Sequence, residues 1–227
     1  MKYQIRGSTL PILDVQLDEG ETIFTESGGM AWMSNNIEME SKMEGGLFKG
    51  LKRGFTGESL FLVNYTCTSG KGIIAFCHEM PGRIIPFELK EGEKIICQRD
   101  AFMMAEKSVD LDMELVKRFG AGFFGGEGFF LQKLQGPGKA FIELAGEITE
   151  YELEENQTLK VDPGYIGAFE TSVSYDIQRI KGIKNIFFGG EGLFLATLTG
   201  PGKVWLQSMP LSNLAQKLSP YLATKRS

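Results

Sequence analysis

Read for alternation alone, the chain is a succession of short strands. In ILDVQLDEGETIFTE from Ile12, apolar and polar residues alternate on both sides of a polar centre, and IIPFELKEGEKIICQ from Ile84 and ITEYELEENQTLKVD from Ile148 repeat the design. In the second segment Ile84, Pro86 and Glu88 face one way and Ile85, Phe87 and Leu89 the other, the period of a strand with one buried face. The Glu-Gly or Glu-Asn pair at each centre predicts a hairpin turn. A second strand pair is predicted further on, where GFFLQKLQ and KAFIELAG flank Gly136-Pro137-Gly138. Pro suits turn position i+1 and Gly the left-handed position i+2. Thr68-Ser69-Gly70-Lys71-Gly72 holds the corresponding place earlier in the chain. The intervening SVDLDMELVKRF and SVSYDIQRIKGI also alternate, although DMELVKRF fits a short helix as well. Clear helical spacing occurs only in PLSNLAQKLSPYL, where Leu211, Leu214, Leu218 and Leu222 recur at threes and fours between Pro210 and Pro220. That stripe is expected to pack on the β body, with partner binding as the alternative.

The alternating segments belong to a longer internal repeat. Glu127 and Glu191 are 64 residues apart, and the same offset pairs Gly82 with Gly146, Ser108-Val109 with Ser172-Val173, and Gly136-Pro137-Gly138-Lys139 with Gly200-Pro201-Gly202-Lys203. A more diverged copy precedes them: GESLFLVNY from Gly57 matches GEGFFLQKL from Gly126, and LDEGE at Leu17 matches LKEGE at Leu89. The mismatch between those two offsets places an insertion near KMEGGLFKGLKRGF. Three copies are expected, at about 10–80, 82–145 and 146–209, followed by a tail at 210–227. Each is small for a free-standing domain, so three units packed around a shared core into one pseudo-symmetric all-β body are predicted, ending in a short C-terminal helix.

Composition narrows the function classes. Twenty-nine glycines in 227 residues suit many tight turns. A net charge of −5 disfavours nonspecific nucleic-acid binding, which depends on Lys and Arg neutralising phosphates. The N-terminal stretch does not read as a signal peptide, and no run of apolar residues is long enough for a membrane-spanning helix. Cys67, Cys77 and Cys97 are an odd number of thiols and read as reduced. A cytoplasmic protein is the expectation.

The three GE(S/G)(L/F)F phrases, the GPGK turns and the LxEGE openings together resemble the mitochondrial biogenesis family, known in eukaryotes as altered inheritance of mitochondria protein twenty-four. The resemblance runs from about Pro11 to Met209. It implies a fold similar to the tryptophan RNA-binding attenuator protein, a short β-sandwich or double-stranded β-helix in repeated copies. For eukaryotic members it implies a link to mitochondrial inner-membrane organisation, whereas this chain reads as a bacterial relative. No catalytic residue or cofactor is implied.

The candidate chemistry is sparse. FGAGFFGGEG lacks the Gly-Lys-Ser/Thr of a phosphate loop, and a strand follows it where such a loop needs a helix. Glu58, Glu127 and Glu191 occupy equivalent positions; they converge on a cation if the units surround an axis, or otherwise accept N–H groups of their own turns. Cys77 and His78 are strand neighbours that point to opposite faces, so they form no dyad with each other. A single histidine also falls short of a cupin metal site, and neither a cofactor nor a metal is expected.

In the basic-aromatic stretch 46–56, Phe48, Leu51 and Phe55 interleave with Lys49, Lys52 and Arg53, and the matching stretches carry Phe123, Phe124, Phe187 and Phe188. Three apolar loops on one body suit self-association or contact with another protein, sealing of a sandwich end, or an anionic membrane surface. The leading reading is a noncatalytic β scaffold or interaction protein, a homo-oligomer or protein binder, working through these loops. The alternatives are membrane-surface association through 46–56 and a small-molecule binder or enzyme using a cavity between units.

Overall fold

The computed structural model describes residues 1–26, 28–42, 62–78, 80–117, 129–179, 194–218 and 221. They form an almost entirely β protein with one short C-terminal helix. The first stretch holds β1 (Lys2–Arg6), β2 (Ile12–Asp18), β3 (Thr22–Glu26), β4 (Met30–Met33), β5 (Ile37–Lys42), β6 (Leu62–Cys67) and β7 (Lys71–Cys77). The second holds β8 (Gly82–Leu89), β9 (Lys94–Gln98), β10 (Phe102–Glu106), β11 (Asp110–Lys117), β12 (Phe129–Gln135) and β13 (Gly138–Ala145). The third holds β14 (Ile148–Leu153), β15 (Thr158–Val161), β16 (Ile166–Glu170), β17 (Ser174–Arg179), β18 (Phe194–Thr199) and β19 (Gly202–Gln207), followed by α1 (Leu211–Leu218).

One antiparallel pairing scheme runs through all three stretches. The opening strand pairs with the closing strand, as β2·β7, β8·β13 and β14·β19. The closing strand also pairs with the third strand, β4, β10 or β16. The fifth strand lies between the second and the fourth, as in β3·β6·β5, β9·β12·β11 and β15·β18·β17. Two joints fuse neighbouring stretches: β3 pairs with β10, and β9 pairs with β16. The result is four sheets, ordered β1-β2-β7-β4, β5-β6-β3-β10-β13-β8, β11-β12-β9-β16-β19-β14 and β15-β18-β17.

Each stretch encloses its own core between two sheets. Leu13, Val15 and Leu17 on β2 meet Ile23, Val63 and Tyr65 from the facing sheet. Ile95, Cys97 and Leu134 meet Leu89, Ala140 and Ile142 in the second core, and Val161, Ala196 and Leu198 meet Leu153, Phe169 and Val204 in the third. Neighbouring stretches also insert side chains into one another's cores. Trp205 of β19 lies in the second core, edge-on to Phe87 at 5.3 Å.

The predicted hairpins are corrected by this topology. β2 and β3 do not pair with each other, nor do β8 and β9, β12 and β13, or β14 and β15. These turns are arches that carry the chain from one sheet to the sheet facing it. Alternation cannot separate the two cases, because both bury every second residue; in an arch the two apolar sets meet across a core. The arch turns still use left-handed residues, Gly20 (φ 82°), Gly92 (φ 79°) and Asn156 (φ 63°). Asn tolerates that region better than most side chains, which accounts for the Glu-Asn variant. The Gly136–Pro137 and Gly200–Pro201 bonds are cis, a feature the expected turn left out. DMELVKRF contributes to strand β11, so its helical alternative is set aside. The C-terminal helix forms as predicted, but its stripe is only partly covered: Leu214 is half-buried, while Leu211 and Leu218 are each 48% exposed. Leu222 lies outside the described residues.

Candidate functional site: a cavity where the three stretches meet

The strongest candidate site comes from a register coincidence. Cys77 pairs with Ile12, Glu143 with Ile84, and Gln207 with Ile148, so the three polar residues stand at the same place on three equivalent closing strands. All three line one cavity of about 390 Å³, joined by Glu26, His78 and Gln98. The cavity therefore takes walls from every stretch of the chain.

Most of its polar groups hold the stretches together. Met80 N–H donates to His78 Nδ1 at 3.1 Å, which leaves the ring proton on Nε2 to donate to the Leu144 carbonyl at 3.1 Å. His78 is thereby fixed, buried, as a bolt between the first and second stretches, with Glu143 Oε2 3.6 Å from its Nδ1. Thr25 Oγ donates to the Met103 carbonyl at 2.5 Å across the same boundary. On the other side, Ala145 N–H donates to Gln207 Oε1 at 3.0 Å, and Gln207 Nε2 donates to Gln98 Oε1 at 2.9 Å and to the Gly164 carbonyl at 3.2 Å. Buried amide groups satisfied in this way fix one arrangement of the units, because any shift leaves them without partners.

Glu26 has a perturbed carboxyl in this cavity. Burial raises its pKa, and the facing Asp100 adds to that, against the opposing effects of the Gln132 amide that donates to it and of Arg99. Gln132 is fully buried, and its Oε1 has no hydrogen-bond partner. Burial also pushes the Cys97 thiol up, with the Glu26 charge adding to the effect, so this cysteine is a core residue. Cys77 is only half-buried, but its neighbour His78 has both ring nitrogens occupied by backbone groups, so no thiolate–imidazole pair forms. Among the described residues no group of three His, Cys, Asp or Glu side chains is placed to hold a metal ion. The cavity has a polar lining, and among the described residues it presents no nucleophile with an oriented base.

The loop and carboxylate candidates from the sequence lie outside the described residues: Phe48, Lys49, Leu51, Lys52, Arg53, Phe55, Phe123, Phe124, Phe187 and Phe188, and the glutamates Glu58, Glu127 and Glu191. The strands that flank them are described. Lys42 pairs with Leu62, Lys117 with Phe129, and Arg179 with Phe194, so each of the three segments connects the fourth and fifth strands of its stretch. Of the cavity residues, Cys77 and His78 are weighed from the sequence only as a dyad; Glu143 and Gln207 escape that reading because their signal is a shared register on a strand rather than a shared residue type. Also among the described residues, no helix is long and apolar enough to cross a membrane.

The family described as mitochondrial biogenesis AIM24 matches residues 3–209 of the chain. An uncharacterised protein of Streptococcus pyogenes serotype M6 is 29% identical over 234 residues, covering 99% of this chain and 92% of that protein. A crystal structure of a Streptococcus pyogenes protein is similar at TM-score 0.77 and 25% sequence identity, covering 97% of this chain and 99% of that one.

Proposed function

The chain belongs to the mitochondrial biogenesis AIM24 family, and from that premise we propose a noncatalytic β scaffold in the cytoplasm that self-associates or binds another protein through its glycine- and aromatic-rich segments. The observation that carries this reading is that 43–61, 118–128 and 180–193 are the connections of three equivalent fourth–fifth strand pairs. A threefold display of apolar sequence on a rigid sandwich array suits an interface better than a reaction. The use of the cavity's His78, Thr25 and Gln207 in boundary hydrogen bonds points the same way. Sedimentation of the purified chain should show association that weakens when Phe48, Phe55, Phe123 and Phe187 are replaced by Ser. A monomer at every concentration, with no partner recovered, removes the reading.

A second reading, a small-molecule binder, draws on the cavity of about 390 Å³ and its half-buried Glu26 and Cys77. Its test is protection of Cys77 from a thiol reagent by a bound small molecule, with Cys67 and Cys97 buried as internal controls.

A further inference from the structure

The two joints inside the molecule have counterparts on β4 and β15 that lack a strand partner among the described residues. At each joint the second strand of one stretch pairs with the third strand of the next, as Ala105↔Phe24 and Glu106↔Ile23, and as Ala168↔Cys97, Phe169↔Ile96 and Glu170↔Ile95. The first stretch also has a third strand, β4, and the last also has a second strand, β15. Among the described residues β4 pairs only with β7, and β15 only with β18. The outer edge of β4 is therefore the acceptor half of a joint, and the outer edge of β15 the donor half.

The side chains agree with this. Register on the closing strands aligns Trp32 with Met104 and Ala168, which face Ala75, Phe141 and Trp205 respectively. Met104 and Ala168 are 0% exposed, each inserted in the core of the preceding stretch, whereas Trp32 is 47% exposed. The apolar side chain is covered at both internal joints and half-exposed on β4.

We propose that β15 of one copy of this chain pairs with β4 of a second copy, reproducing the internal joint head to tail. Both joints transfer to the same register, Met33 opposite Lys160 and Ser34 opposite Leu159, and the second also sets Trp32 opposite Val161. Trp32 then closes the third core of the neighbouring copy. Such a contact is heterologous, so it builds a ring if the rotation closes and a filament if it does not. One residue departs from the pattern. Lys160 stands where the internal joints have Phe24 and Ile96, and a lysine on a free strand edge weakens edge pairing. The association is accordingly reversible, and Lys160→Ile tightens it.

The inference rests on the self-association reading but uses a different surface, so one set of sedimentation runs on the full chain separates the two. Trp32→Glu, at an exposed position, should keep the thermal midpoint and raise the dissociation constant by more than about tenfold. Lys160→Ile should lower it, and both shifts should keep their size when the Ser replacements in the aromatic segments are also present. The double variant Met33→Cys/Lys160→Cys should form a disulfide ladder beyond the dimer on oxidation, which neither single variant forms. Association abolished by the Ser replacements but indifferent to Trp32→Glu overturns strand-edge pairing and keeps the aromatic-segment reading. A wild-type chain that stays monomeric overturns both. Oxidised species limited to dimers overturn the head-to-tail register.

Discussion

The turn before the closing strand is built twice one way and once another. In the second and third stretches it is GPGK; in the first it is Cys67-Thr68-Ser69-Gly70-Lys71. The backbone anchor is the same in all three: Gly136 N–H donates to the Glu93 carbonyl, Gly200 N–H to Gln157 and Cys67 N–H to Glu21, each at 3.0 Å. The side-chain clamp is also retained in position but not in chemistry. Glu106 Oε2 accepts from Lys139 N–H at 2.7 Å and Glu170 Oε2 from Lys203 N–H at 3.0 Å, whereas Ser34 Oγ accepts from Ile73 N–H at 2.9 Å. The longer first turn has an extra support, Asn36 Nδ2, which donates to the Ser69 and Lys71 carbonyls at 2.6 and 3.1 Å. What the fold requires is a paired backbone group at this place; the residue that supplies the pairing is free to change.

The largest break in that equivalence is steric. A Cβ on Gly136 meets the Lys90 carbonyl oxygen at 2.4 Å, and one on Gly200 meets the Glu154 carbonyl oxygen at 2.4 Å, both backbone atoms that cannot swing away. Gly136→Ala and Gly200→Ala should each cost about 2–3 kcal/mol in denaturant unfolding. Cys67 already places a side chain at the matching position, in the first core, so Cys67→Ala should cost about 1 kcal/mol. Equal losses at the three positions would show that the turns differ in more than residue type.

The second break concerns the clamp. Removing a charged acceptor from a backbone N–H at the edge of the core costs about 2 kcal/mol, and removing a hydroxyl about 1 kcal/mol. Glu106→Ala and Glu170→Ala should therefore destabilise by similar amounts, and Ser34→Ala by roughly half as much. A Ser34→Ala loss as large as that of Glu106→Ala contradicts the assignment of Ser34 as the weaker clamp.

These pairings also explain what could be read from sequence. The 64-residue offset that aligns GPGK with GPGK also aligns Glu106 with Glu170 and Glu93 with Gln157, and the structure gives each pair the same backbone contact. Strand positions were legible for the same reason, since each core face announces itself every second residue. Which strands pair was not, because an arch and a hairpin bury the same residues. The cavity was hidden by chemistry: Cys77, Glu143 and Gln207 share a register but no property that a residue-by-residue scan would match. The aromatic and glutamate positions were the loudest signal in the sequence, and they fall outside the described residues.

The smallest expected effect tests the cavity wall, where equivalent positions again carry different groups. Glu26, Gln98 and Asp162 directly follow the matching residues Thr25, Cys97 and Val161 of the three second strands; Gln98 is neutral, and Asp162 accepts from Gly164 N–H at 3.0 Å. The Glu26 pKa is raised, with burial as the main cause. A carboxyl whose pKa is higher folded than unfolded binds its proton more tightly in the native state. Stability is then full below the ordinary carboxylate range and falls as pH rises through the native pKa. Glu26→Gln makes the first stretch resemble the second and keeps an acceptor for the Gln132 amide. The variant should match the wild type in acid, exceed it modestly at neutral pH and show a flatter pH dependence in denaturant unfolding. A variant less stable than wild type at neutral pH would mean that the ionised carboxylate is held by a stronger partner than Arg99, and that the cavity wall favours a negative charge at this point.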